Sequence, residues 1–297
     1  VAIGLVISDR REFWERERHR WPNHELSRFV DSGGIRWHVQ QSGSGPPLLL
    51  VHGTAASTHS WRDLWPALAE RFTVIAADLP GHAFTATAPA SRCSLRGMSQ
   101  ALAELLATLD IAPQYCIGHS AGAAILCRMA LDRLIAPLGI VSINGAFLPL
   151  GGAPGVLFAP IAKLIGANAL VPRLISWRGG DAAAVERVIA GTGSRLDRTG
   201  IEWYARLVRE PSHIAGALAM MGNWNLQNFE RELAHLSTPL HLFVGARDRA
   251  VPPAQALRIR ERLPQAEVTQ LAGLGHLAHE EAPRDVGPLL LRALGAC

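Results

Sequence analysis

Short apolar runs, each followed by a longer segment in which apolar residues return every three or four positions, organise most of this chain. Pro47-Leu-Leu-Leu-Val51, Thr73-Val-Ile-Ala-Ala77, Tyr115-Cys-Ile117, Ile140-Val-Ser-Ile143, His241-Leu-Phe-Val244 and Val268-Thr-Gln-Leu271 read as strands. Most of these runs are predominantly apolar rather than alternating, as strands covered on both faces are, with Val268-Thr-Gln-Leu271 the exception. Between them, Leu95, Met98, Leu102, Leu105 and Leu106 place one apolar face on a helix over 94–109, and Trp61, Leu64, Trp65 and Leu68 do so over 60–72. Helices are also expected over 254–263 and 283–294. Two further runs, 27–31 and 35–39, flank Gly33-Gly34 and predict a hairpin ahead of the first buried strand. The pattern is that of an α/β fold, an eight-stranded, mostly parallel sheet flanked by helices.

After Ile143 the alternation stops and does not resume until Leu240, a gap of about ninety residues, far too long for a simple loop. A helical cap inserted after the sixth strand is therefore expected, with helices over 181–190 and 200–210. The expected division is an N-terminal helical extension over 1–24, a core over 25–147 and 237–297, and the cap over 148–236. The cap carries Trp177, Trp203, Tyr204, Met220, Met221 and Trp224. Such a set predicts a large apolar pocket between cap and core. In the extension, residues 10–20 alternate in charge, with Arg11/Glu15 and Glu12/Arg16 four apart, and read as a solvated helix.

The strand at Tyr115 runs into Gly118-His-Ser-Ala-Gly122 and an Ala-rich helical segment follows. Strand, tight turn and helix around G-x-S-x-G form a nucleophile elbow, in which a strained serine exposes its hydroxyl. Ser120 is the candidate nucleophile. Its requirements are met in order along the chain: Gly245-Ala-Arg-Asp248 ends one strand with an orienting acid, Asp248, and Gly275-His276 follows the next with a base, His276. Upstream, His52-Gly53-Thr54 follows a strand, so the amides of Thr54 and Ala121 are the candidate oxyanion hole. Alone, a histidine after glycine is a surface residue and a strand-end aspartate a turn or cap; it is their conjunction at strand C-terminal ends that carries chemistry. Asp78, in Asp78-Leu-Pro-Gly-His82, reads instead as a turn residue accepting local backbone bonds. The strand over 140–143 runs out into Asn144-Gly145, with no competing acid.

Net charge is +4 and the isoelectric point near 9.2, yet the cations are almost all arginine, with Lys163 the single lysine, and are dispersed among acids. No basic stripe supports nucleic-acid binding. Cys93, Cys116, Cys127 and Cys297 have no paired spacing, and the start of the chain, Val1-Ala-Ile-Gly-Leu-Val-Ile7, is too short for a signal-peptide core. The expectation is a reduced, cytoplasmic chain. The apolar stretch over 147–172 is read as packed on the core, with peripheral bilayer contact as the other reading. His276, His279, Glu280 and Glu281 invite a metal check, but no third convergent ligand is identifiable, so neither metal nor cofactor is expected. Glu281 and Pro283 are read as starting the last helix.

Over 25–295 the chain resembles the α/β hydrolases, through His52-Gly53, Asp78-Leu-Pro-Gly-His82, Gly118-His-Ser-Ala-Gly122, Gly245-Ala-Arg-Asp248 and Gly275-His276. More narrowly, Trp21-Pro-Asn23, Ser27-Arg-Phe-Val30, Arg36-Trp-His-Val39, Thr58-His-Ser-Trp-Arg62, Gly191-Thr-Gly-Ser-Arg195, Ala250-Val-Pro-Pro253 and Gly275-His-Leu-Ala-His-Glu-Glu281 are similar to the magnesium-chelatase accessory proteins of bacteriochlorophyll synthesis. That resemblance implies a phototrophic source, chelatase subunits as partners, and a place near magnesium insertion into protoporphyrin IX. It implies no particular reaction, and the chain has no phosphate-binding loop of its own. Three functions follow: a serine hydrolase acting on or protecting an apolar tetrapyrrole, a porphyrin-binding or chelatase-docking module with an idle triad, and a general carboxylesterase or lactonase. Carbon–halogen and epoxide hydrolysis are disfavoured, because those relatives carry aspartate where Ser120 stands.

Overall fold

The computed structural model describes residues 10–149 and 170–295. Eight strands form one sheet: β1 (Ser27–Ser32), β2 (Ile35–Ser42), β3 (Pro47–Val51), β4 (Thr73–Ala77), β5 (Tyr115–His119), β6 (Gly139–Ile143), β7 (Leu240–Gly245) and β8 (Glu267–Leu271). Their spatial order is β1-β2-β4-β3-β5-β6-β7-β8. The β1–β2 and β2–β4 pairs are antiparallel and the other five parallel. Gly33 and Gly34 turn the hairpin with φ of +58° and +74°, values that glycine reaches without steric cost.

The two-residue period of a strand explains the continuous apolar runs. Leu49, Val51, Cys116 and Ile140 face one side, where α3 (Leu95–Thr108) and α4 (Ala121–Leu131) cover them. Leu48, Leu50, Ile117 and Val141 face the other, against α2 (Trp65–Ala69) and α12 (Pro283–Ala293). Ser94 caps α3 as its side chain accepts from the Gly97 amide at 3.1 Å. The single helix expected over 60–72 is divided: a short 3-10 turn, Thr58–Trp61, precedes α2. Pro66 lacks the amide that a continuous helix would need there, and it occupies the first turn of α2 instead.

Between β6 and β7 the described residues carry helices only: α5 (Leu170–Gly179), α6 (Ala182–Gly191), α7 (Arg198–Val208), α8 (Pro211–Asn223) and α9 (Phe229–Leu233). Of the apolar stretch expected over 147–172, residues 150–169 lie outside the described residues. α8 crosses the loop after β4 at a glycine–glycine contact, where a Cβ on Gly216 would collide with the Gly81 carbonyl. Beyond β7 come α10 (Ala254–Arg262) and the short α11 (Ala278–Glu281).

The N-terminal helix α1 (Arg10–Glu17) is solvated along the face that carries Arg11, Glu12, Glu15 and Arg16, as its charge alternation predicts, but its other face is buried. Phe13 is buried, and with Trp14 and Trp21 it packs on Phe84, Trp203 and Leu207. The Arg10 guanidinium donates to the carbonyls of Ala83 (2.5 Å), Gly81 (2.8 Å) and Ser212 (2.9 Å), tying α1 to both the core loop and α8. Burial lowers its pKa to about 10, and three carbonyl acceptors compensate the buried charge. Charge periodicity along a helix carries no information about such distant partners. Asp78 likewise exceeds its predicted role as a local turn residue: it is fully buried, and accepts from the Thr58 amide and the His38 ring, both at 2.8 Å. Its carboxyl is held well below the usual range, chiefly by His38 against the opposing cost of burial.

Candidate active site

β5 ends at His119 and α4 begins at Ala121, so Ser120 alone makes the turn, with φ +51° and ψ −118°. For a non-glycine residue that conformation costs about 1–3 kcal/mol and persists only where the surroundings enforce it. They do so here. The Ser120 amide donates to Ile143 at 3.0 Å, and its carbonyl accepts from Ala123 and Ala146. A Cβ on Gly118 would stand 2.5 Å from the Ala123 backbone, and one on Gly122 would collide with the Val51 carbonyl. Strand and helix can pass this closely only with glycine at both positions.

The loop after β3 lies against the serine: a Cβ on Gly53 would be 3.0 Å from the Ser120 Cβ. Neither the Thr54 amide nor the Ala121 amide donates to a backbone carbonyl among the described residues. The loop is fixed from beneath, since His52 donates through Nδ1 to Gly53 O (2.8 Å) and accepts the Leu79 amide at Nε2 (2.9 Å). From above, the Thr54 hydroxyl contacts Met220 Sδ at 3.5 Å, and His213 of α8 donates through Nε2 to Ala55 O (3.2 Å).

His276 and Asp248 are paired, with Nδ1 2.8 Å from Oδ2. Asp248 is buried, and its other oxygen accepts the Ala250 and Val251 amides, both at 2.8 Å. A carboxylate used in this way takes Nδ1–H from the imidazole and leaves Nε2 with a lone pair, the tautomer a general base needs.

Three positions that sequence reasoning did not assign hold this pair in place. Asn144, expected only as the place where a competing acid is missing, donates to the carbonyls of His276 (2.7 Å) and Gly275 (3.0 Å) and accepts the Gly245 amide (2.7 Å). It joins the ends of β6 and β7 to the base loop. His119 donates through Nε2 to the same His276 carbonyl at 2.9 Å, linking the serine turn directly to the base. Burial holds its pKa well below the ordinary imidazole value, so it is neutral. The third is the cap segment Thr192-Gly-Ser194: the Arg249 amide donates to Thr192 O (3.0 Å) and the Leu277 amide to Ser194 Oγ (2.8 Å). Glu281 does not begin the last helix; its carboxylate accepts the Gly275 (2.8 Å) and Arg195 (3.2 Å) amides, so it too braces the base loop. The advance signals for the Thr192–Ser194 segment were its place in the Gly191-Thr-Gly-Ser-Arg195 motif and its glycine, Gly193, which reaches φ +88°.

Gly193 gives a direct test of the brace. A Cβ there would collide with the Arg247 carbonyl in a conformation unfavourable to any side chain. Gly193→Ala is expected to destabilise the protein by about 3 kcal/mol. Urea unfolding measures this, and an unchanged midpoint would show that the segment is not fixed as described.

The cap aromatics divide by helix face. Met220 is at the Thr54 loop, with Met221 half-buried beside it on α8. Trp224 packs on the core cluster beneath α3 and α4. Trp203 packs edge-on to Trp21 at 5.5 Å. The Tyr204 hydroxyl donates to buried Glu280 at 2.7 Å. Trp177 is 77% exposed, against the expectation that it lines a pocket. Within the described residues, therefore, Met220 reaches the candidate oxyanion loop, and Tyr204 joins the apolar cluster of Leu277, the residue after His276, and meets the His59 ring at 4.7 Å. His279 is also engaged, 3.2 Å from Ser60 Oγ, and no group of three metal-ligating side chains forms among the described residues.

Comparison with known proteins agrees with this fold. A profile described as the alpha/beta hydrolase family matches residues 48–287. The magnesium-chelatase 30 kDa subunit of Rhodobacter capsulatus is 34% identical over 273 residues, which cover 91% of this chain and 95% of that protein. Among solved structures, an alpha/beta hydrolase fold protein from Burkholderia ambifaria superposes with a TM-score of 0.76 at 23% identity, covering 90% of this chain and 97% of that one. The epoxide hydrolase CorEH does so with a TM-score of 0.75 at 24% identity, covering 91% and 98%. At these identities the two structures speak to the fold alone.

Proposed function

The chain belongs to the α/β hydrolase family, and from that premise we propose that it is a serine hydrolase serving as an accessory factor for magnesium chelatase in bacteriochlorophyll biosynthesis. The substrate class is an apolar tetrapyrrole intermediate near magnesium insertion into protoporphyrin IX. Similarity to the Rhodobacter capsulatus subunit along nearly the whole chain supports the accessory role. The observation that carries the hydrolase reading is the strained Ser120 packed on Gly53, together with an Asp248–His276 pair whose tautomer leaves Nε2 free to act as base.

In this reading Ser120 Oγ attacks a substrate carbonyl while His276 Nε2 takes its proton. Asp248 remains ionised, holding the imidazole and stabilising its charge. The oxyanion that forms is met by the Thr54 and Ala121 amides, which are preorganised by the loop and helix that carry them. His276 returns the proton to the leaving group. Water then enters as the second nucleophile by the same route and releases the acid, restoring Ser120.

The test is labelling with a fluorophosphonate probe, comparing wild type, Ser120→Ala and His276→Ala, with protoporphyrin IX as competitor. Labelling at Ser120 that requires His276 and is reduced by the porphyrin is expected. A folded wild-type protein that takes no label would remove the hydrolase reading and leave a docking or porphyrin-binding module. Labelling indifferent to porphyrin would leave a general esterase.

A further inference from the structure

α5 buries Pro172 and Ser176 against the rest of the cap and packs on α8. At 100° per residue, Leu174 and Trp177 fall on its opposite side, one turn apart. They are 53% and 77% exposed, and Leu170, at 67%, continues the same stripe. Arg173 and Arg178 project on either side of this stripe, and the helix has no acid. The Arg178 guanidinium lies 5.6 Å from the Trp177 ring. On a water-facing helix, isolated apolar side chains need no explanation, but a Leu–Leu–Trp row with an arginine on each flank is an ordered arrangement.

We infer that this face of α5 docks the protein on an anionic lipid surface. The geometry is that of an interfacial helix: apolar side chains enter the acyl boundary, tryptophan sits at headgroup level, and the two guanidiniums reach lipid phosphates. A protein partner fits less well. The stripe offers roughly 300 Å² of apolar surface on one convex helix, well short of the ~800 Å² each partner gives to a stable interface. A bilayer requires no matching shape. Docking here also places the membrane one helix away from the candidate site, because α5 rests on α8 and α8 carries the Met220 and His213 that touch Thr54 and Ala55. The inference does not depend on Ser120 being active.

The experiment is flotation of the full chain with phosphatidylcholine vesicles, with and without phosphatidylglycerol, at low and high salt. Wild type should float with the anionic vesicles and be released by salt. Leu174→Ser with Trp177→Ser should weaken partition by at least about tenfold. Arg173→Gln and Arg178→Gln should each weaken it about fivefold on anionic vesicles alone. Far-ultraviolet circular dichroism and the thermal midpoint confirm that the variants are folded. Wild type that fails to float, or variants that float as well as wild type, would overturn the inference. So would a wild-type dimer in sedimentation that the same substitutions dissociate, which would assign the face to a second copy of the chain.

Discussion

Asp248→Asn protein is expected to fold and to hydrolyse a p-nitrophenyl ester about 10⁴-fold more slowly than wild type. The reason lies in how the carboxylate is used. One oxygen accepts the Ala250 and Val251 amides, and an asparagine carbonyl can replace it there, so the loop keeps its bonds. The other faces His276 Nδ1 at 2.8 Å, and an amide NH₂ in that place donates where the carboxylate accepted. The imidazole must then accept at Nδ1 and carry its proton on Nε2, the nitrogen that a base needs unprotonated. It holds its position and loses its function as a base. Asp248→Ala confounds the test, because it also removes the acceptor for two amides. Near-normal turnover by folded Asp248→Asn would show that the pair is structural and the proton goes elsewhere.

Acid should unfold this protein abruptly, well above the pH at which carboxylates titrate. His52, His59, His82, His119, His213 and His279 are all buried, and burial lowers each pKa, for His213 and His279 to about 3. The folded state keeps them neutral, whereas the unfolded chain protonates each near 6.5. Below that value the unfolded state binds more protons, so the stability they provide is complete above pH 6.5 and is lost as pH falls. Each histidine contributes about 1.4 kcal/mol per pH unit. One unit below, the five held well below that value, His59, His82, His119, His213 and His279, together remove about 7 kcal/mol, comparable with the whole stability of an ordinary domain. Asp78 does not offset this, because its lowered pKa withdraws stability only at still lower pH. Urea unfolding at pH 7.5, 6.5 and 5.5 should show a steep fall with uptake of several protons. A flat profile to pH 5.5 would mean these rings gain access to water without unfolding.

The strands were legible because a sheet covered on both faces demands continuous apolar runs, and this chain supplies them at 48–51, 74–77 and 115–117 with little else competing. The serine turn was legible for a similar local reason: Gly118 and Gly122 are needed by the collision they avoid, whatever the chain does elsewhere. Order along the chain then singled out Asp248 and His276, which meet at 2.8 Å. The cap was legible as a gap in the alternation and not as an arrangement. Trp203 and Tyr204 are neighbours in sequence, yet one packs under Trp21 and the other reaches Glu280, because a helix sends adjacent residues to different faces.

By itself, then, the sequence determined the strand–helix alternation, the strained serine between its glycines, the order of the candidate nucleophile, acid and base, and the position of the inserted helices, all properties set within a few residues of chain. The tertiary structure alone decided what holds those parts together. Asn144 bridging three loops, His119 bonded to the His276 carbonyl, Ser194 beneath Leu277, Arg10 on three carbonyls and the buried Asp78 all act across dozens to hundreds of residues. Each is a polar group whose partner is chosen by burial: once removed from water it must bond whatever donor or acceptor the fold brings near, and no local pattern in a chain records which one that is.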